Sequence, residues 1–330
     1  MGSVKDLRVL KKPEGEKSGI GIFEFSNRYS VFDWGEMPDE IEDKGTSLCL
    51  TTSYFFEILE KNGIKTHYLG VIEEGESKSI NDIKSITNRM KVKLLRVIKP
   101  VKKKNGYDYS VYKEISKNFL IPIEVVFRNS IPQGSSFLKR IKEKGISLSE
   151  VRFPVVEFFT KLEETDRFIE EEEASFISNL NKEKIDEIKE LTLKINRILK
   201  EVSENASLKL EDGKIEFGID ENGDLIVVDA IGTLDECRYS FDGVQLSKEI
   251  LRIHYRKTEW YKEIEEAKKI DSINWKLHVN KNPEKLPEDF KKLVEDLYRS
   301  FTNRITGRNF FNSPSLEELI EEIRGMAQLV

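Results

Sequence analysis

Apolar and polar positions change their period along the chain, and each change marks an element. Residues 4–34 read as short strands and turns: an apolar strand around Leu7–Leu10, the loop "KKPEGEKSGIG", then "IFEFSNRYSVFDW". From about Thr46 to Lys61 the apolar residues recur at helical intervals, putting Leu48, Phe55, Ile58 and Leu59 on one face, with Asn62-Gly63 as the stop. Strands are expected at His67–Ile72, Met90–Ile98 and Ile121–Arg128. This order predicts an antiparallel α+β unit rather than a βαβ repeat.

Before the last of these strands lies an apparent insertion, "KPVKKKNGYDYSVYKEISKN". Its lysines and Tyr107, Tyr109 and Tyr112 are compatible with a nucleic-acid patch, but a solvated hairpin with its tip at "KNG" is the simpler expectation. Further on, Ile185, Ile188, Leu191, Ile195, Ile198 and Val202 form a core stripe on a helix expected from about Lys182 to Val202. A hairpin follows, then a helix from about Ser247 to Lys269. Two more helices are expected in the tail. "PEDFKKLVEDLYRSF" has Pro287 near its start, and "SLEELIEEIRGMAQLV" has Ser315 and Glu318 spaced as a capping box.

Composition narrows what this framework can do. A chain of 330 residues has room for about two domains. Its net charge of −6 argues against a dedicated nucleic-acid binder. No apolar run approaches the roughly 18 residues of a membrane span, and the start lacks a signal-peptide core, so a cytoplasmic location is expected. Cys49 and Cys237 stand far apart, and His67, His254 and His278 show no ligand spacing. Any chemistry must therefore come from carboxylates, lysines, arginines and backbone groups.

The hairpin "DGKIEFGIDENGDLIVVDAIGTLDECR" concentrates such groups. A two-residue turn at Asn222-Gly223 puts Glu221 opposite Asp224 and Glu216 opposite Asp229. Directly facing carboxylates repel. A proton, a divalent hard ion such as magnesium, or the ammonium of Lys214 on the same face as Glu216 would relieve them; a solvated strand edge is the bland alternative. In "IEVVFRNSIPQGSSFLKR", Arg128 ends an apolar strand beside a loop, Gly134-Ser135-Ser136, that opens a helix, a pattern suited to holding an anion. Asp235 and Arg238 follow Asp229 closely. The loop "GEKSGIG", with Lys17, fits neither the Walker nor the dinucleotide fingerprint.

Taken in order, these stretches resemble the phosphoribosylaminoimidazole-succinocarboxamide synthase (SAICAR synthetase) family. The resemblance rests on "RYSVFDWGEMPDEIEDKG", "IPIEVVFRN…GSSFLKR", "PVVEFFTKLEETD" and "GKIEFG…VVDAIGTLDECR", over roughly residues 5–260. It implies an α+β fold of two domains with antiparallel sheets and ATP in the cleft between them, similar to protein kinases and ATP-grasp enzymes. The implied division is a nucleotide-binding domain over 1–120, a catalytic domain over 121–269 and a helical extension over 270–330. Residues 99–119 and 270–330 have no counterpart in the resemblance.

The implied reaction is ATP-dependent: the carboxylate of carboxyaminoimidazole ribotide is phosphorylated, and the amine of L-aspartate then displaces phosphate. Phosphoryl transfer asks for positioning, charge neutralisation and magnesium more than for a protein nucleophile. Matched by position, Glu216 and Asp229 are the magnesium and ATP carboxylates, and Lys214 and Asp229 are the catalytic pair. Arg128, Ser135, Asp212, Asp235 and Arg238 are the substrate-binding set, and Lys17 is an ATP phosphate contact. Lys44 belongs to the family's K-G segment without an assigned role. The expected partners are these small molecules, with ATP and Mg2+ as cofactors, no nucleic acid or membrane, and a possible homo-oligomer. A diverged ligase or kinase on the same scaffold, or a non-catalytic interaction protein using the Lys102–Lys104 patch, are the alternatives.

Overall fold

Two antiparallel sheets organise the chain in a computed structural model that describes residues 4–104, 106–132, 135–271 and 274–328. The first is built from β1 (Lys5–Lys11), β2 (Gly19–Phe25), β3 (Tyr68–Glu73), β4 (Glu76–Lys78) and β5 (Arg89–Leu94), in the order β1-β2-β5-β3-β4. Helix α1 (Lys44–Lys61) covers it and ends at Asn62, with Gly63 in the left-handed region at φ 74°. Gly45 lets the start of α1 press against β2, since a Cβ there would lie 2.4 Å from the Phe25 carbonyl oxygen. A separate ribbon, β6 (Val101–Lys103) with β7 (Gly106–Asp108), forms the expected hairpin; Asn105 at its tip lies outside the described residues. Tyr109 and Tyr112, which follow the ribbon, are buried rather than displayed, and Lys102 and Lys103 pair with Glu164 and Asp108.

The second sheet comprises β8 (Phe119–Arg128), β9 (Val155–Thr160), β10 (Phe168–Ile169), β11 (Lys209–Ile219), β12 (Leu225–Val228), β13 (Cys237–Phe241) and β14 (Val244–Leu246). Its order is β10-β9-β8-β11-β13-β14, with β12 also paired to β11. The short α2 (Phe137–Glu143) follows β8, while α3 (Glu171–Ser178) and α4 (Lys182–Asn205) pack on the sheet. The α4 stripe buries Ile185, Ile188, Ile195 and Leu199, each contributing roughly 1.5–3 kcal/mol. Asn181 caps it by accepting from the Lys184 amide at 3.0 Å, a contact of about 1 kcal/mol. The sheets are stitched together where Val227 donates to the Lys65 carbonyl at 2.9 Å and His67 donates to that of Val227 at 3.0 Å.

Two expectations need correction. The single helix over 247–269 is two, α5 (Glu249–Tyr255) and α6 (Glu259–Ile270). Thr258 between them is extended and caps α6 by accepting from the Tyr261 amide at 3.3 Å. The buried pairs Leu251 and Tyr255, then Trp260 and Ile264, keep four-residue steps on either side of the break, and only the five-residue step between them marks it in the apolar pattern.

The second correction is the hairpin register. Glu216 pairs with Val228, not Asp229, and Ile219 pairs with Leu225. The turn has three residues, Glu221, Asn222 and Gly223, with Gly223 at φ 88°. Asp220 stabilises it by accepting from the amides of Asn222 and Asp224, at 2.8 and 2.9 Å. That local side-chain bonding favours the longer turn over the two-residue one.

The C-terminal helices are α7 (Glu288–Thr306), starting after Pro287, and α8 (Leu316–Gln328). Ser315 and Glu318 form the expected capping box, with bonds of 2.7 and 3.2 Å. Helix α7 lies along α1, where the Thr51 and Thr302 hydroxyls are 3.1 Å apart. Covered by the sheet and by α7, α1 is buried almost all round rather than on one stripe.

Candidate active site

Side chains alternate across a strand, so Glu124, Val126 and Arg128 of β8 share a face with Asp212, Lys214 and Glu216 of β11. The register pairs Arg128 with Asp212, Val126 with Lys214 and Glu124 with Glu216. Facing acids therefore do exist here, but the partner of Glu216 is Glu124. Ammonium groups bridge them. Lys161, just past β9, lies 2.8 Å from Glu216 Oε1 and 3.4 Å from Glu124 Oε2. Lys214 lies 2.9 Å from Glu124, 3.1 Å from Glu236 and 3.6 Å from Glu216.

Asp229 follows β12 in the left-handed region at φ 70°, a conformation Asp visits more readily than most residues. Its carboxylate pairs with Lys5 of β1, and the Asp229 carbonyl lies 3.2 Å from Nε2 of buried His67. Burial opposes ionisation of Asp229, yet Lys5, Lys161 and Lys214 outweigh it and hold the group well below the usual carboxylate range. Glu216 goes the other way: burial first, then repulsion from Asp229, raises it above its ordinary value. Glu124 is lowered, because Lys214 and Lys161 overcome its burial. His67 is pushed down to about 4 by burial and stays neutral.

The other end of the ladder is a guanidinium–carboxylate chain. Arg128 Nε donates to Glu157 at 2.6 Å and its Nη1 donates to Asp212 at 2.7 Å. Arg238 binds the same Asp212 through Nε at 2.8 Å and through Nη2. Arg140 of α2 also donates to Glu157, at 2.7 Å. Asp235 pairs with the buried Lys44 at 2.9 Å.

A polar cavity of about 580 Å3 brings five of the expected residues together: Arg128, Asp212, Lys214, Asp235 and Arg238. Glu216 joins them through Lys214, and Asp229 adjoins that pair. Ser135 is not among the lining residues, although its neighbour Ser136 is; Ser135 Oγ accepts from the Phe137 amide at 3.3 Å. Gly134 of the same loop lies outside the described residues. Lys17 is exposed, and its loop is tied by Asn118 and by a bond from the Ser18 amide to Glu221, away from this cavity. A larger, mostly apolar cavity of about 1110 Å3, lined by Val244, Ile250 and Phe290 among others, lacks the clustered acids and bases of the ladder.

Sequence reasoning missed Glu124, Glu157, Lys161, Glu236 and Lys5, and left Lys44 without a role. Glu124 carried a signal: a lone acid at even spacing from Arg128 within the apolar strand "IPIEVVFR" shares its face. Lys5 carried none, because its contact with Asp229 spans the two sheets.

Fold and site together define a two-sheet α+β protein whose acids, lysines and arginines meet at a polar cleft, where the lining cysteine, Cys237, is buried and kept as the thiol by that burial. A family model described as SAICAR synthetase matches residues 14–268. A relative from Archaeoglobus fulgidus, provisionally named a phosphoribosylaminoimidazole-succinocarboxamide synthase, is 49% identical over 98% of this chain and 99% of its own. A synthase of that name from Thermoplasma acidophilum is 32% identical over 88% of this chain and 94% of its own. A solved structure described as SAICAR synthetase in complex with ADP superimposes with a TM-score of 0.61, at 25% identity, covering 96% of this chain and 98% of that one. The chain belongs to the SAICAR synthetase family and is a ligase of purine biosynthesis.

Proposed function

We propose that this chain uses ATP to join the amine of L-aspartate to the carboxylate of carboxyaminoimidazole ribotide, yielding SAICAR, ADP and phosphate through an acyl phosphate. The observation that carries the reading is the convergence of Arg128, Asp212, Lys214, Asp235 and Arg238 on one cavity. Nucleotide is bound from the side of Lys5, Glu216 and Asp229, where an ammonium and two acids adjoin; that the related structure is a complex with ADP supports nucleotide binding as such. Residues 1–120 then serve the nucleotide, 121–269 the chemistry, and 270–330 form a helical extension.

The residues present fit a magnesium ion. Glu216 Oε1 is buried with the Lys161 ammonium 2.8 Å away but off the line of a hydrogen bond, and it adjoins the ionised Asp229. Among the described residues no three acids, histidines or cysteines cluster with metal-binding geometry; Glu216 and Asp229 would hold such an ion only together with substrate phosphates. Such an ion would neutralise phosphate charge during transfer.

The chain's own groups account for the rest. Lys214 and Lys161 place two ammonium groups where negative charge builds up on the transferring phosphoryl group. Asp212 locks Arg128 and Arg238 in fixed planes, so that the remaining N–H groups of Arg238 meet the ribotide's phosphate without reorganisation. Asp235, acceptor-only when ionised, takes a hydroxyl or amino donor of the ribotide. Lys17 remains a secondary phosphate contact, and Ser135 a contributor to the loop before α2. Among the described residues no helix is long and apolar enough to cross a membrane, and a cytoplasmic location is part of the proposal.

The test is a product assay with ribotide, ATP and aspartate, omitting each in turn. Product that forms only when all three are present is expected. ADP release without aspartate incorporation, or preference for another amine, would replace this reading with a diverged ligase or kinase.

A further inference from the structure

Helix α7 lies beyond residue 268, where the family match ends, yet it reaches the cleft. Tyr298 Oη donates to Asp235 Oδ1 at 2.6 Å, while Lys44 Nζ donates to Oδ2 at 2.9 Å and Lys248 Nζ stands 3.9 Å from the same oxygen. Tyr298 and Lys44 are buried, with the ammonium 5.5 Å from the centre of the tyrosine ring. One residue on, Arg299 holds the segment that precedes Lys44. Its Nε donates to Asp43 at 2.7 Å, Nη2 to Glu42 at 2.8 Å and Nη1 to Asp296 at 3.0 Å. The Glu42 amide in turn donates to Glu295 at 3.2 Å.

These bonds have one consequence. Asp235 sits on the loop between β12 and β13, and that loop is pinned at Gly232, where a Cβ would overlap the Phe55 ring at 2.1 Å. The carboxylate itself is aimed by groups from outside the loop: a hydroxyl from α7 and an ammonium from the first residue of α1. A buried charge without such partners is costly and would turn or take up a proton. With Tyr298 on one oxygen and Lys44 on the other, its remaining lone pairs are set for one further donor at the cavity wall.

We propose that Tyr298 is a positioning residue for the ligation, orienting Asp235 toward a hydroxyl or amino donor of the ribotide, so that α7 belongs to the catalytic assembly. This rests on the function proposed above. Helix–helix packing alone does not call for the hydroxyl: a phenylalanine would fill the same space between α1 and the loop.

The experiment is Tyr298→Phe in the full chain. The expected result is a KM for ribotide raised about tenfold, from one lost hydrogen bond to a charged acceptor, with kcat and the KM for ATP changed less than twofold. An unchanged ribotide KM, or an equal loss toward all three substrates, overturns the proposal. A readout without turnover separates this from failure of the functional reading. The Asp235 carboxyl carbon, followed by NMR, stays ionised well below the usual range in the parent, where Lys44, Lys248 and Tyr298 outweigh burial, and moves up in Tyr298→Phe. Should the variant not fold, the parent decides alone: an ordinary Asp235 titration near about 4 overturns the positioning role, whatever the ligase assay shows.

Discussion

Replacing Glu216 with glutamine separates what the acidic cluster does for stability from what it does for nucleotide. Glu124, Glu216, Asp229 and Glu236 face Lys5, Lys161 and Lys214, four carboxylates against three ammonium groups. Glu216→Gln removes the excess negative charge. Lys161 keeps Glu124 at 3.4 Å, and Lys214 keeps Glu124 at 2.9 Å and Glu236 at 3.1 Å. Without ligand, the variant should therefore stay within about 1 kcal/mol of the parent: the lost Lys161 contact is offset by relief of the repulsion between the directly opposed Glu216 and Glu124. The sign of its pH dependence follows from the raised Glu216 value. The folded parent takes up that proton at higher pH than the unfolded chain, so this group favours folding at low pH and the benefit is lost as pH rises through its folded value. The parent should gain on Glu216→Gln as pH falls.

With Mg-ATP the difference should be large. At 100 times its dissociation constant a ligand stabilises by about 2.7 kcal/mol, which is roughly 4 °C in Tm for a chain of this size. If glutamine weakens metal-nucleotide binding a hundredfold, the same concentration gives only about 0.4 kcal/mol, roughly 1 °C. Thermal shift with and without Mg-ATP reads both effects. A full nucleotide shift in Glu216→Gln, or a loss of several kcal/mol without ligand, would refute the assignment of Glu216 to the metal-nucleotide.

Three further outcomes are expected. Arg128→Lys keeps the charge but cannot span Glu157 and Asp212, so urea unfolding should show a loss of about 3 kcal/mol; a loss under about 1 kcal/mol would show that Arg140 and Arg238 suffice for those acids. Asp166 still reaches solvent, yet partial burial first and Glu124 second push it up to about 6. A carboxyl whose folded value is raised favours folding at low pH, a benefit lost as pH rises through about 6; Asp166→Asn should flatten that part of the stability–pH profile, and an unchanged profile in the variant refutes the shift. Thr258→Ala removes the cap that divides α5 from α6, lowering stability by about 1 kcal/mol with kcat unchanged, as circular-dichroism melts and the product assay together would show.

Much of the fold was legible because local rules and tertiary packing agree. The α4 stripe, the Asn62-Gly63 stop and the Ser315–Glu318 box are each written within a few residues. The α5–α6 break is written only in one five-residue step, from Tyr255 to Trp260, and in one threonine cap, signals too slight to stand out in an otherwise helical stretch. The all-round burial of α1 was equally hidden: its outer face is covered by α7, more than two hundred residues later in the chain.

The site was legible where it follows strand alternation and illegible where it depends on register and on contacts between sheets. Arg128, Asp212, Lys214 and Arg238 come together because neighbouring strands put alternate residues on one face. The error over Glu216 and Asp229 shows the limit of that argument. Asn-Gly signals a turn, but Asp220 accepts two amide hydrogens and makes the turn one residue longer, which moves every later residue by one place. Asp229 thereby leaves the ladder, takes a left-handed conformation and meets Lys5 of the other sheet, while Glu216 faces Glu124. The inference that paired acids need compensation survives the shift. What changes is its agent: in the chain itself Lys161 and Lys214 supply most of the charge opposing Glu124 and Glu216, leaving a residual negative charge that a divalent cation, not the nucleotide, is suited to balance.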